Sequence, residues 1–163
     1  MSNKEDKTNV MRMLEQKKIP YTPHGYEHDG DEAVDALSVA EKIGIPLERI
    51  YKTLVTQGAS GGYFVFVVPG GASLDLKKAA KVAGEKFVVM VKVPELLPLT
   101  GYVRGGCSPI GMKKPFPTVA HETAGDFEAI LFSAGKIGWQ IEASLADLQK
   151  AVPVQLADVI VDR

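Results

Sequence analysis

Two apolar runs separated by a glycine-rich turn constrain the fold of this chain more than any other feature. Residues 50–55 read Ile-Tyr-Lys-Thr-Leu-Val, and residues 63–68 are apolar throughout. Between them, residues 58–62 contain three glycines. β-Branched and aromatic residues on both sides of such a turn predict an antiparallel hairpin. We therefore expect this hairpin at the centre of the fold.

Lys52 is the one charged residue in the first of these runs. An ammonium group in an apolar setting carries a desolvation cost unless an anionic group meets it. The pattern alone favours an edge-strand lysine that points to water, because such lysines protect sheet edges from pairing with other chains. The alternative is a site residue that faces a pocket.

The remaining composition indicates a mixed fold. The chain has 163 residues, of which 45% are hydrophobic and 24% charged, and its sixteen glycines and ten prolines imply many turns. We expect a single α+β domain over residues 1–163, with six to seven strands and about four helices. Ser and Thr residues are predicted to cap those helices: Thr8, Ser38, Ser73 and Ser144.

Charge and cysteine content narrow the range of environments. The formal net charge of −1 provides no global attraction to nucleic acid or to an anionic membrane. The single cysteine, Cys107, excludes an internal disulfide and fits a reducing compartment. Residues 1–7 are polar, without a signal-peptide core, and no apolar run is long enough to cross a membrane. We expect a cytoplasmic protein without a membrane partner.

The most unusual segment is residues 100–111, which hold four glycines and one proline in twelve residues. This composition predicts a tight loop whose backbone amides could cradle a carbonyl or oxyanion. The glycine order fails both the P-loop and the dinucleotide pattern. Cys107 lies in this loop, but no spacing assigns it a histidine base, so a small semi-buried thiol is favoured over a nucleophile.

The three histidines do not indicate a metal site. His24 and His28 lie near acidic residues, but His121 is far away in sequence, and neither Cys-rich spacing nor an HExxH helix is present. We expect neither a metal nor a cofactor.

Five motifs, in order and with similar spacing, resemble the YbaK family of Cys-tRNA(Pro) deacylases. They are Tyr-Glu-His-Asp at residues 26–29, Ile-Tyr-Lys-Thr-Leu at 50–54, Leu-Asp-Leu-Lys-Lys at 74–78, the Thr-Gly-Tyr…Gly-Gly-Cys-Ser-Pro-Ile-Gly loop at 100–111, and Ser-Ala-Gly-Lys-Ile-Gly at 133–138. The match is closer than to the inserted editing domains of prolyl-tRNA synthetases, which share the fold. The resemblance implies a mixed, mostly antiparallel sheet curled into a partly barrel-like core, with helices outside.

The resemblance also implies a function. The family removes cysteine that prolyl-tRNA synthetase has attached to tRNA(Pro), with Cys-tRNA(Cys) as a further substrate, and the thiol of the substrate is thought to attack its own ester. The implied partners are cysteinyl-tRNA(Pro) and, transiently, prolyl-tRNA synthetase. Lys52 matches the essential lysine of the family. The implied substrate-binding residues are Tyr26, Thr53, Gly105, Gly106 and Ser133.

Two positions depart from the family pattern, and two rival functions stay open. Gln140 stands where some members carry an aspartate, and Asp35 falls at about the place of a phenylalanine. One rival is a deacylase that uses water to remove alanine or serine. The other is a non-catalytic module that binds tRNA or a synthetase.

Overall fold

The computed structural model describes residues 7–30 and 32–162, and the polar residues 1–6 lie outside these ranges. Within the ranges the chain forms eight strands and five α-helices. The strands are β1 (Thr22–Gly25), β2 (Tyr51–Gly58), β3 (Tyr63–Pro69), β4 (Val88–Met90), β5 (Thr118–His121), β6 (Ile130–Ser133), β7 (Trp139–Ala143) and β8 (Gln155–Ala157). The helices are α1 (Asn9–Gln16), α2 (Ala36–Ile43), α3 (Leu76–Ala83), α4 (Val93–Thr100) and α5 (Leu145–Ala151). Two 3₁₀ turns, Leu47–Arg49 and Glu122–Asp126, complete the order.

The expected hairpin is present, and it forms the middle of a five-stranded sheet. β2 pairs with β3 in an antiparallel register that sets Lys52 opposite Val68. The strand order is β4-β2-β3-β5-β8, in which β5 and β8 are parallel to their neighbours. β4 covers β2 only from Thr56 to Gly58, so no strand in the described part of the chain pairs with the second edge of β2 at Lys52, Thr53 and Leu54.

The remaining strands form a second, antiparallel sheet in the order β1-β7-β6. Among the described residues, one isolated parallel bridge, from Ile50 to Leu131, joins the two sheets beside the start of β2. The largest buried cluster takes side chains from both sheets, among them Val65 and Val67 from β3 and Phe132 and Ile141 from the second sheet. The α+β class with mostly antiparallel pairing is thus confirmed, but strands and helices each exceed the expected number by one, and the barrel-like core is two bridged sheets.

The helix caps show where local pattern and structure agree. Thr8 caps α1 and Ser144 caps α5, as expected. Asp35, and not Ser38, caps α2, and Asp75, and not Ser73, caps α3. Both serines fit the sequence pattern of a helix cap. However, the residue at which the chain enters the helix is an aspartate in each case. Aspartate accepts from the free N–H groups of the first turn as well as serine does.

No helix within the described ranges combines the length and apolar character needed to span a bilayer.

Candidate functional site

A cavity of about 560 Å³ opens at the unpaired edge of β2, between the two sheets. Residues 50–55 form one wall, β6 and β7 contribute Ser133 and Gln140, and the glycine-rich loop contributes Arg104, Gly105 and Cys107. Tyr26 and the segment before α2 form another side. The cavity therefore gathers five of the six residues that the sequence assigned to a site: Tyr26, Lys52, Thr53, Gly105 and Ser133.

Lys52 is half-buried in this wall. Burial lowers the pKa of its ammonium group, and no charged partner among the described residues opposes that shift. A desolvated cation without a counterion is unfavourable in a folded protein. Lys52 lies at an unpaired stretch of strand edge, as the pattern favoured, but that edge borders a cavity in which the lysine is half-buried.

Two further polar atoms in the cavity wall lack partners. Thr53 Oγ1 and Gln140 Oε1 are the buried side-chain oxygen or nitrogen atoms that have no hydrogen bond within the described part of the chain. Buried polar groups are nearly always satisfied in native proteins, and the exceptions concentrate where a ligand or water completes the set. Lys52 and the two unsatisfied atoms, Thr53 Oγ1 and Gln140 Oε1, all border one space.

Gln140 and Ser133 are direct cross-strand partners in the second sheet. Ser133 Oγ accepts a hydrogen bond from Gly135 N–H at 3.0 Å, which fixes the serine and the turn that follows it. Gln140 also lies opposite His24 on β1. Of this row, Ser133 and Gln140 line the cavity, and Gln140 was not among the expected site residues. Its signal in the sequence was a polar side chain in the strand-like run at residues 139–143, which also holds Glu142.

The glycine-rich loop is held by its own hydrogen bonds. Thr100 Oγ1 donates to Leu96 O at 2.8 Å and accepts from Tyr102 N–H at 3.0 Å. The Tyr102 hydroxyl donates to Ile110 O across the loop, so the two ends are joined through a buried ring. This bracing positions Gly105 and Cys107 at the cavity.

The two adjacent glycines of the loop have different surroundings. Gly105 adopts a φ of +87°, and a Cβ there would lie 2.7 Å from Ala33 Cβ. Only glycine fits such a conformation at such a close approach. Gly106 is not among the lining residues, and its N–H donates to Val103 O at 3.0 Å. The structure therefore does not bring the Gly106 amide to the cavity, and this residue packs instead against the backbone of Ile137.

Two other groups near the cavity, the Asp35 carboxylate and the Cys107 thiol, have structural roles. The Asp35 carboxylate accepts from Ser38 N–H and Ser38 Oγ, and the side-chain bond is the larger cause that holds its pKa below the usual range. Burial raises the pKa of the Cys107 thiol to about 12, so it is protonated at neutral pH. This agrees with the favoured interpretation of Cys107 as a buried thiol.

The three histidines and Lys78, on α3, make contacts that do not involve the cavity. His24 Nε2 bonds Glu142 at 2.7 Å, His28 Nδ1 bonds Gly30 O, and His121 Nδ1 accepts from Val159 N–H. Lys78 binds Asp158 and Asp162, so it holds the C-terminal segment and does not form an open positive surface.

Comparison with known proteins places the chain in a family. Residues 31–151 match the aminoacyl-tRNA editing domain. The chain is 48% identical over 155 residues to the "Putative Cys-tRNA(Pro)/Cys-tRNA(Cys) deacylase EbsC" of Enterococcus faecalis, covering 95% of this chain and 94% of that protein. It is also 32% identical over 111 residues, 64% of its length, to a proline–tRNA ligase of Burkholderia mallei, of which it covers only 19%.

A solved structure shows the same fold. The crystal structure of "a putative trans-editing enzyme for prolyl tRNA synthetase" superposes with a TM-score of 0.81 at 24% identity, over 95% of this chain and 99% of that one. The family resemblance seen in the motifs is thereby confirmed. This chain belongs to the aminoacyl-tRNA editing domain family.

Proposed function

We propose that this protein is a trans-editing deacylase that removes cysteine from mischarged Cys-tRNA(Pro), with Cys-tRNA(Cys) as a second candidate substrate. The observation that carries the proposal is the half-buried Lys52, which has no charged partner among the described residues, in a cavity wall that also holds two unsatisfied polar atoms. The name of the E. faecalis relative, which is 48% identical, supports the choice of cysteine as the amino acid.

Lys52 is the proposed catalytic residue, and its partner is an oxygen of the substrate. The terminal adenosine of an aminoacyl-tRNA offers a phosphate and an ester within a few ångströms of one another. A cation in a partly desolvated cavity binds such oxygens more strongly than in water and stabilises negative charge that develops in the reaction. Lys52 would therefore orient the ester and lower the barrier to its cleavage.

The Gly105 amide is a second proposed contact of the reacting carbonyl. No described acceptor takes a hydrogen bond from Gly105 N–H, and this residue lines the cavity. Its positive φ sets the direction of the amide, and the packing against Ala33 fixes it. Tyr26, Thr53 and Ser133 complete the proposed contacts of the substrate, whereas Gly106 supports the loop.

The side chains of the cavity favour a reaction in which the substrate supplies its own nucleophile. The Cys107 thiol is protonated, since its pKa is raised to about 12. In the proposed reaction the cysteinyl sulfur bonds to the ester carbon, and the bond from that carbon to the ribose oxygen breaks. The thiol proton ends on the ribose oxygen, so the products are a cyclic thiolactone and uncharged tRNA. Neither a metal nor a cofactor takes part in these steps.

Prolyl-tRNA synthetase is the proposed transient partner. The net charge of −1 is a poor basis for tight binding of free tRNA. A synthetase that presents its mischarged product would supply the missing affinity. This proposal requires that added synthetase increase the rate at limiting tRNA concentration, and tight binding of free tRNA without such a gain would contradict it.

The function is tested with two substrates and three variants. Cys-tRNA(Pro) should be deacylated, and Ala-tRNA(Pro), which has no thiol, should not. Lys52→Ala should lower kcat/KM for Cys-tRNA(Pro) by about a hundredfold or more, as expected for loss of a charged contact in the transition state. Lys81→Ala, an exposed lysine on α3, is the matched control and should leave the rate unchanged.

Cys107→Ala tests whether the attacking sulfur belongs to the substrate or to Cys107 of the enzyme. If the substrate thiol attacks, this variant keeps most of its activity. Loss of activity in a folded Cys107→Ala protein would assign the attack to the enzyme. Equal cleavage of the alanyl and cysteinyl substrates would favour the water-dependent deacylase, and absence of cleavage in the wild-type protein would favour a binding module.

A further inference from the structure

The side-chain amide of Gln140 has no explained role in the fold. Gln140 is 6% exposed, lines the cavity, and holds its Oε1 without a hydrogen-bond donor within the described ranges. A buried acceptor that lacks a donor destabilises the folded protein, so its presence indicates a missing partner. That partner must supply an N–H or O–H from inside the cavity.

We propose that Gln140 is a specificity and positioning residue whose Oε1 accepts a hydrogen bond from the α-amino group of the aminoacyl ester. The inference rests on the proposed function, because it assigns one contact of the same substrate. An α-amino group is a hydrogen-bond donor in both its neutral and its protonated form, so the contact is available on either side of its pKa.

The surroundings of Gln140 suit an amino group better than a single hydroxyl or thiol. An amino group has two or three N–H bonds to satisfy, and the cavity wall offers a second unsatisfied acceptor, Thr53 Oγ1. The edge of β2 at Thr53 also lacks a strand partner. The Asp35 carboxylate, which would otherwise compete for an ammonium group, is already bonded twice by Ser38.

A neutral amide at this position is compatible with the unpaired Lys52. Both side chains line one cavity, and a carboxylate there would attract the Lys52 ammonium. Glutamine accepts a hydrogen bond without carrying a charge. Lys52 therefore stays available for the oxygens of the substrate while Gln140 binds the nitrogen.

The contact would also place the reacting atoms. Once the amino nitrogen is fixed at Gln140 and the ester at Lys52, Cα is held, and one side-chain rotation brings the sulfur to the carbonyl carbon. Reduction of such freedom is an established source of rate enhancement. Gln140 thus acts on specificity through the amino group and on rate through orientation.

The test compares two unreactive ligands that differ only in the amino group. One is the 3′-amide of adenosine with cysteine, and the other is the same amide with 3-mercaptopropionic acid. Wild-type protein should bind the first more tightly by roughly ten- to a hundredfold, as for a hydrogen bond to a charged or strongly polar group. Dissociation constants are measured by titration calorimetry.

Three variants locate this preference. Gln140→Leu should bind the two ligands with much more similar affinities, because the Oε1 acceptor is gone and only Thr53 Oγ1 remains. Gln140→Glu keeps an acceptor oxygen and should keep the preference for the cysteinyl amide, even if an ion pair between the new carboxylate and Lys52 lowers the affinity for both ligands. Gln155→Leu changes an exposed glutamine on β8, away from the cavity, and should match wild type. Thermal unfolding of each variant checks that it is folded.

The outcomes separate this inference from the proposed function. If Gln140→Leu lowers the affinity for both ligands equally and leaves the preference intact, the residue only shapes the cavity and the inference is overturned. The deacylase proposal is then still decided by its own assay. If wild-type protein cleaves Cys-tRNA(Pro) but shows no preference between the ligands, the inference again fails alone. If wild-type protein neither cleaves Cys-tRNA(Pro) nor binds the cysteinyl amide, both fail.

Discussion

Arg49 bonds Glu142 across the junction of the two sheets. The same arginine donates through Nε to Ala129 O at 2.9 Å, and the other oxygen of Glu142 bonds His24 Nε2 at 2.7 Å. Arg49 directly precedes Ile50, which forms the bridge between the sheets. This cluster therefore fixes the start of the strand that carries Lys52 relative to the strand that carries Gln140.

Replacement of Glu142 should loosen this junction in a pH-dependent way. His24 first and Arg49 second hold the pKa of the Glu142 carboxyl below its usual range. A carboxylate with a lowered folded pKa contributes stability that is present above its unfolded pKa and is lost as pH falls through the folded value. Glu142→Gln should cost about 1–3 kcal/mol at pH 7, since two bonds to cationic or polar partners are weakened.

Urea unfolding at a series of pH values measures this difference. The difference in free energy of unfolding between wild type and Glu142→Gln should be largest at pH 7. It should shrink below about pH 4.5, the ordinary pKa of a glutamate. Glu41→Gln, on the exposed face of α2, is the control and should show little change at either pH. A gap that stays constant down to pH 3 would contradict the assignment of the effect to the charge.

Gly105→Ala should damage the cavity more than strain alone explains. Gly61 in the hairpin turn has a similar positive φ of +94°, but a Cβ added there would have nothing within 4 Å, whereas a Cβ on Gly105 meets Ala33. Both substitutions force an alanine into a conformation that costs about 1–2 kcal/mol. Only Gly105→Ala should also reduce kcat/KM, because the loop must move away from the cavity wall. Equal activity in the two variants would exclude a role for Gly105 in the site.

The sequence predicted the elements of the site better than their assembly. The β2–β3 hairpin followed from two apolar runs and a glycine turn, because its register depends on nearby residues. The pairing of β1 with β7 joins residues more than a hundred positions apart, and no local pattern specifies it. The split into two sheets, which creates the open edge beside Thr53, was therefore not predictable from periodicity.

The same limit applies to single residues. Lys52 and Gly105 were assigned through family motifs, and the fold brings both to one cavity. Gly106 belongs to the same motif, yet its N–H is used within the loop, because the direction of an amide depends on the backbone angles and not on residue type. Gln140 was noted only as a departure from the family. That its Oε1 lacks a hydrogen bond depends on its burial and its cross-strand neighbours, which only the fold specifies.

Lys52→Met should make the protein more stable while it lowers kcat/KM to the extent expected for Lys52→Ala. Burial lowers the pKa of Lys52, so the charged form is disfavoured in the folded state. For a lysine with a lowered folded pKa, this destabilisation is fully present at neutral pH, and it is relieved as pH rises through the folded pKa towards the unfolded value. Methionine keeps the aliphatic chain and removes the charge. Because Lys52 is only half-buried, we expect a modest rise in Tm of about 1–3 °C at pH 7.

The pH dependence distinguishes this effect from improved packing. The advantage of Lys52→Met over wild type should shrink between pH 7 and pH 10, because the wild-type lysine loses its proton more readily in the folded state. Lys81→Met, at an exposed position on α3, should show no such trend. A Tm advantage that does not change with pH would point to packing, and a lower Tm in Lys52→Met would indicate that the ammonium group has a stabilising partner. The expected combination, higher stability with lowered activity, is typical of a residue retained for function at a cost to the fold.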